Sequence, residues 1–195
     1  MRRFRLLIIA ASCGLPIHAA SAQAAVVTRP DTLGAAFDAT RTGKGTPTDY
    51  DFLVGSWTFR YQARDPNDGS YSPVFTGTWT AVKAHDGLVL EDEFARPIPT
   101  GGRGITMTYR VFNPRDSVWS IQGIFAARGI WQPGISWSDG HDRFLVQDNP
   151  DRHTRVRIRY YQITPNHFLW RADGSPDGGK TWMRDVMLIE ATRAR

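Results

Sequence analysis

From Asp49 to the C-terminus the chain is written in short β-prone runs, and this rhythm limits its fold more than any single motif does. Stretches rich in Val, Ile, Thr, Phe, Tyr and Trp alternate with clusters of Gly, Pro, Asn and Asp. About ten runs can be counted: Trp57–Arg64, Val74–His85, Gly87–Ala95, Arg103–Asn113, Ser117–Ala127, Ile130–Ser138, Asp142–Val146, Thr154–Thr164, His167–Asp173 and Lys180–Thr192. The connections Asp65-Pro66-Asn67-Asp68-Gly69, His85-Asp86-Gly87, Asn113-Pro114-Arg115-Asp116 and Pro176-Asp177-Gly178-Gly179 have turn chemistry. No run keeps a helical period beyond two turns. Short links between successive strands make an antiparallel meander, and closing it into a barrel removes its exposed edges. The expectation is one all-β domain over residues 49–195, an antiparallel barrel of about ten strands.

The first residues, Met1-Arg2-Arg3-Phe4-Arg5 followed by Leu6-Leu7-Ile8-Ile9-Ala10-Ala11, have the pattern of a secretory signal. The apolar run is too short, and too broken by Gly14 and Pro16, to span a bilayer. Ala20-Ser21-Ala22 fits a small-x-small cleavage site, which makes 1–22 a signal peptide, with cleavage after Ala24 as second choice. The product is then expected in the periplasm or outside the cell, with no membrane span. Cys13, the single cysteine, falls inside the signal, so the mature chain has no disulfide or thiolate metal site. Lipid modification at Cys13 is the alternative, but Ala10-Ala11-Ser12 matches a lipoprotein signal poorly. Losing Arg2, Arg3 and Arg5, with no acid beside them, lowers the net charge from +5 to +2. Nucleic acid is therefore not an expected partner. Residues 23–48 have the composition of a flexible arm or linker, with a lid over one barrel end as the functional alternative.

Alternation along the runs sorts side chains onto faces. Val156, Ile158 and Tyr160 oppose Arg155, Arg157 and Arg159, and the arginine stripe reads as a solvated outer face. Leu88, Leu90 and Phe94 share a face with Asp92. Ile105, Met107, Tyr109 and Val111 oppose Thr106, Thr108, Arg110 and Phe112.

Two strings have definite structural logic. Thr48-Asp49-Tyr50-Asp51-Phe52-Leu53-Val54 reads as one short turn capped by Thr48, and Gly55-Ser56-Trp57 then opens the first strand. Ser175-Pro176-Asp177-Gly178-Gly179-Lys180-Thr181-Trp182 fits the Asp-box pattern. There the Asp177 carboxylate accepts backbone N–H groups, Gly179 permits positive φ, Ser175 and Thr181 complete the loop, and Trp182 anchors it. A single box in so short a chain is a hairpin device and does not point to glycosidase chemistry.

The chain from Asp49 to Arg195 resembles bacterial calycin-like domains of unknown function, which are lipocalin-like barrels. The resemblance rests on Asp51-Phe52-Leu53-Val54-Gly55-Ser56-Trp57, Asp86–Phe94, Tyr109-Arg110-Val111-Phe112-Asn113-Pro114 with Trp119, and Ile163-Thr164-Pro165 with Phe168 and Trp170. It implies that Trp57, after Gly55, closes the barrel base, and that a basic residue of the last strand packs across it. Arg193 is the first candidate for that residue, and Arg195 the second. Function is not implied by fold.

No catalytic constellation and no two-histidine metal spacing stands out, so no catalytic or metal residue is assigned. Asp92 on an apolar face requires a partner, and Arg110 on the next strand is the candidate, provided the semi-polar face of that strand points inward. Seven tryptophans are enough to build a core and still line a cavity. The expected ligand site is Asp92, Arg110 and Gln122 as polar anchors with Trp79, Trp119 and Trp170 against the ligand body. The expected function is non-catalytic binding of a small, largely apolar molecule, without a cofactor. The alternatives are a haem or enzymatic barrel using His167 or the Asp92/Arg110 pair, and an envelope interaction module with a filled barrel. Oligomeric state is not legible.

Overall fold

A computed structural model of the protein describes residues 43–98, 102–149 and 152–195. The signal peptide, its cleavage site, Cys13 and residues 23–42 of the arm lie outside the described residues. Ten strands form in chain order: β1 (Gly55–Ala63), β2 (Phe75–Ala84), β3 (Val89–Pro97), β4 (Arg103–Asn113), β5 (Val118–Phe125), β6 (Ile130–Ser138), β7 (Arg143–Asn149), β8 (Thr154–Tyr161), β9 (His167–Ser175) and β10 (Met183–Arg193). Each pairs antiparallel with its chain neighbours, and β1 closes on β10. The result is the expected all-β meander barrel.

The strand bounds differ from the apolar runs where pairing, not propensity, decides. β7 continues to Asn149 although Gln147, Asp148 and Asn149 carry no β signal, because they are in register with Val156, Arg155 and Thr154. In the other direction, Lys180–Trp182 belong to the turn before β10.

Alternation places one side of every strand but β6 in a single core. Trp57, Phe59, Trp79, Leu90, Ile121, Leu145, Ile158, Tyr160, Phe168, Trp170 and Ile189 all meet inside it. Rings dominate: Phe59 stacks on Phe94 with centroids 4.3 Å apart, and Trp57 meets Phe168 edge-on at 4.8 Å. Such offset and edge contacts contribute beyond the area they bury.

One barrel end is closed by residues 43–54. The 3₁₀ turn Asp51–Leu53 drops Leu53 and the preceding Tyr50 into the core, both almost wholly buried. Trp57 Nε1 donates to Leu53 O at 2.8 Å. The Arg193 guanidinium lies 4.0 Å from the Trp57 ring centroid and donates to Val54 O (2.5 Å), Phe52 O (3.0 Å) and Pro165 O (2.9 Å). Gly55, at φ 112°, lies so close that a Cβ there would stand 2.6 Å from Arg193 Nη1. Thr48 does not cap this turn; its hydroxyl meets that of Thr46, 3.2 Å away. The ordering carboxylate is Asp49, which accepts from Thr46 N (2.9 Å), Thr46 Oγ1 (2.8 Å) and Ser138 Oγ (3.1 Å). Residues 43–48, read from sequence as part of the linker, are packed on the barrel. Gly45 N donates to Ser117 O at 2.6 Å, Trp119 Nε1 donates to Thr46 O at 3.0 Å, and Gly43 rests on Trp137.

The outer wall also departs from expectation at the arginine stripe. Arg157 is buried, bonds Asp173 at 2.9 Å and lies 4.3 Å from the Trp182 ring. Arg159 pairs with Asp142, and only the Arg155–Asp148 pair is well exposed. Arg157 and Asp173 face each other in register across β8 and β9, and the 175–182 turn folds Trp182 over them. That turn is held by Asp177, whose carboxylate accepts from Lys180 N (3.0 Å), Thr181 N (2.8 Å), Thr181 Oγ1 (2.7 Å) and Ser175 Oγ (2.8 Å). These bonds draw the Asp177 carboxyl down to about 2.

Arg193→Met removes the charged donors from three backbone carbonyls and the cation from the Trp57 face. The expected cost is about 2 kcal/mol, read as a lower urea midpoint at unchanged m value. Arg193→Lys is expected to recover only part, because an ammonium cannot serve the fork of acceptors.

Candidate functional site

β3 and β4 bring the two inward charges together. Leu90 and Phe94 point into the core, so Asp92 between them does too, and register sets Arg110 beside Leu90. The semi-polar face Thr106, Thr108, Arg110 and Phe112 is therefore the inner one. Arg110 Nη1 and Asp92 Oδ2 form an ion pair whose side chains are 1% and 0% exposed. Trp79 Nε1 donates to Asp92 Oδ1 at 2.8 Å, and Arg110 Nη2 donates to Tyr160 Oη at 3.2 Å. The guanidinium lies 4.9 Å from the Tyr50 ring centroid, and the Tyr50 hydroxyl meets Ser136 Oγ at 2.6 Å. The cluster thus draws on β2, β3, β4, β6, β8 and the base segment.

Burying two charges costs several kcal/mol per ion, which pairing alone rarely recovers. Here the indole and phenol give each ion a second partner. Arg110 Nε has no hydrogen-bond partner among the described residues. Buried donors are nearly always paired, so an orphan of this kind calls for a cause. Burial pushes the Tyr160 phenol up to about 12 and raises Tyr50 as well, each only partly offset by Arg110. Both phenols are neutral at ordinary pH.

Beyond the cluster, away from the base, the interior has two unlike walls. One is aromatic and aliphatic, made of Phe59, Phe94, Trp79, Trp170 and Ile189. The other carries Thr108, Gln132 and Gln147 around Gly123, which is in register with Thr108 and Gln132. Gln132 and Gln147 are 6% and 8% exposed, and neither side chain bonds any described residue. A Cβ on Gly123 would stand 2.8 Å from Gln147 Nε2, so glycine is what lets that amide lie across the wall. At the end opposite Trp57 the inward residues Phe75, Phe94, Thr106, Phe125, Val156 and Met187 are only partly buried, whereas Trp57, Trp119, Ser136, Phe168 and Ala191 at the base are buried. The interior is therefore in contact with solvent from one end.

Of the residues picked from sequence, Asp92, Arg110 and Trp79 converge, with Trp79 as a donor to the carboxylate rather than a bare wall. Trp170 lines the interior beside Tyr160, ring centroids 6.5 Å apart. Two picks belong elsewhere. Gln122 points out of the barrel, because its neighbour Ile121 occupies the core. Trp119 packs on the base, edge-on to Tyr50 at 5.3 Å, with its N–H spent on Thr46. His167 is likewise on the outer wall, its Nε2 3.5 Å from Glu190, because the next residue, Phe168, points in. It cannot serve as a ligand inside the barrel. Among the described residues no three His, Cys, Asp or Glu side chains group as a metal site.

Tyr50, Ser136, Tyr160, Gln132 and Gln147 were not picked. Tyr160 left a trace, since a phenol sharing a face with Val156 and Ile158 needs a buried partner for its hydroxyl. The two glutamines sit in runs whose alternation is broken by Pro133, Gly134 and a polar tail, and their side is visible only in the pairing.

No protein-family model and no curated protein matches the chain. Among solved structures it is similar to the S-type phycobiliprotein lyase CPES from Guillardia theta, at a TM-score of 0.53 and 10% identity over 75% of this chain and 90% of that one. It is also similar to a DFHBI-bound barrel, EF1p2_mFAP2b, at a TM-score of 0.41 and 11% identity over 76% and 98%. A redesigned barrel, b11L5F_LGL, follows at 0.41 and 11% over 74% and 94%. The likeness to the lyase is one of fold, a calycin-like barrel.

Because burial favours the neutral Tyr160 phenol, the folded state holds its proton from pH 10 to about 12 while the unfolded chain releases it. Stability is complete below pH 10 and falls as pH rises through that window, by on the order of 2–3 kcal/mol for a two-unit shift. Tyr160→Phe is expected to flatten the decline, measured by urea unfolding at stepped alkaline pH with phenolate absorbance in parallel.

Proposed function

We propose that this barrel holds a small, largely apolar molecule whose buried end is uncharged and hydrogen-bonding. The observation that carries the reading is the unpartnered polar surface inside the barrel: Arg110 Nε and the amides of Gln132 and Gln147, facing an aromatic wall. Asp92 and Arg110 cancel each other, so an anion placed against them would repel Asp92 and a cation Arg110. A carbonyl, hydroxyl or ring nitrogen meets no such penalty. Gln132 and Gln147 each offer a donor and an acceptor to the same edge of the ligand, while Phe59, Phe94 and Trp170 cover its apolar face. Entry is from the end opposite Trp57, since residues 43–54 fill the base. The N-terminal signal pattern supports a periplasmic or extracellular setting for this binding. The role is retention of the molecule rather than its conversion, as nothing in the cluster is set beside an activated nucleophile or a general base in a solvated cleft.

Native mass spectrometry of protein from its own host is expected to show a bound mass that denaturation releases. Binding of a neutral fluorescent amine, 1-aminoanthracene, provides the quantitative test. Gln132→Leu/Gln147→Leu is expected to weaken it about tenfold, about 1.4 kcal/mol, with thermal stability unchanged or raised, because those amides bond nothing in the barrel itself. Equal affinity in the double variant would place the ligand elsewhere.

A further inference from the structure

The open end of the barrel holds a cation that neither the buried pair nor the base uses. Leu90, Asp92 and Phe94 take the inner side of β3, and Arg96 follows them on that side, nearer the opening. Its guanidinium lies 5.6 Å from the Tyr61 ring centroid, and Nη1 donates to Tyr61 Oη at 3.4 Å. Tyr61 is itself fixed. Its ring is buried and stacks on Phe75 with centroids 5.4 Å apart, and its hydroxyl donates to Pro97 O at 3.3 Å. The neighbouring strand presents only Gly104 beside Arg96, where a Cβ would stand 3.8 Å from Arg96 Cγ. An arginine that merely sought water would extend over the rim. Arg96 instead keeps its charge back over a core ring, with most of its N–H fork unused.

No carboxylate pairs with Arg96 among the described residues. The acids at this end are engaged elsewhere: Glu93 faces outward to Arg103, and Asp148 pairs with Arg155. Asp65, Asp68 and Asp177 accept N–H groups of their own turns.

We infer that Arg96 receives a carboxylate at the outer end of the bound molecule, which makes the ligand an apolar monocarboxylate with an uncharged polar group at its other end. The inference rests on the binding role proposed above and names the class of molecule. Charge supports it first. Asp92 and Arg110 cancel, so the positive charge left on the inner face toward the opening is that of Arg96. An anion repelled by Asp92 at depth is attracted at the mouth. Spacing supports it next. From Asp92 to Arg96 the strand rises about 13 Å. The wall along that path is aromatic, with Phe94 on Phe59 and then Phe75 on Tyr61. An apolar body covers that wall while its two ends reach the deep amides and the guanidinium. The fork of Arg96 matches a planar carboxylate with two parallel bonds. A phosphate monoester, at close to −2, would remain half neutralised against one inward cation.

The test is calorimetric titration of the full chain with ω-hydroxydecanoate, whose extended length is close to that span, and with its neutral amide. The parent is expected to bind the acid about tenfold or more tightly than the amide, the scale of one charge-assisted pair, with the preference shrinking as salt is added. Arg96→Gln is expected to abolish the preference and leave affinity for the amide unchanged, which also shows the variant barrel to be intact. Arg96→Lys is expected to restore part of it, because the charge returns without the fork. Equal affinity of the parent for acid and amide would overturn the inference and leave the binding role standing. A preference that survives Arg96→Gln would overturn it as well, by assigning the anion to another cation. Binding of neither compound would also overturn it, and 1-aminoanthracene held by the same protein would show that the binding role had not failed with it.

Discussion

The Asp92–Arg110 ion pair is the interaction around which the interior is organised. It is wholly enclosed, and its ions recruit the side chains that define the middle of the barrel: Trp79 for the carboxylate, Tyr160 and the Tyr50 face for the guanidinium. A buried pair of this kind is a poor source of stability, because desolvation opposes the attraction between its members. Replacing only one member leaves a naked charge and is far more damaging than replacing both. The pair therefore fixes neighbours and polarity in a region that aliphatic side chains would fill at lower cost, and the orphaned Arg110 Nε shows that its hydrogen-bonding capacity exceeds what the fold itself uses.

The two barrel ends differ in how fully their polar groups are bonded. At the base, Trp57, Arg193, Leu53, Tyr50 and Asp49 make one connected closure in which carbonyls, carboxylate and ring faces all have partners. At the far end the inward side chains thin out and stay partly exposed, and the unbonded amides of Gln132 and Gln147 lie between that end and the ion pair. Bonding is saturated at one end and spare toward the other, which is the arrangement the proposed binding role uses.

Much of this was legible in the sequence because it depends on local rules. Period-two alternation in β3, β4 and β8 assigns faces, and turn chemistry separates the strands. A carboxylate stranded among Leu90 and Phe94 announces the need for Arg110. What stayed hidden depends on contacts between distant residues. Gln122 and Trp119 were misplaced because a polar or aromatic residue on a strand does not say which side of the wall it takes until its neighbour's side is known. Arg157 was read as solvated because nothing local shows that Trp182 folds over it. The packing of residues 43–48 was missed for the same reason: linker composition describes the segment, not the Trp119 and Ser138 side chains it meets.

The central claim is that the buried pair is kept for a ligand and not for the barrel. The direct measurement is Asp92→Leu/Arg110→Met, compared with each single change, scored by urea unfolding and by retention of the molecule bound in the host. The account predicts that each single variant loses about 3–5 kcal/mol, that the double variant is as stable as the parent or more so, and that the double variant no longer retains the molecule. A double variant as unstable as the singles, or one that still retains the molecule, would contradict it.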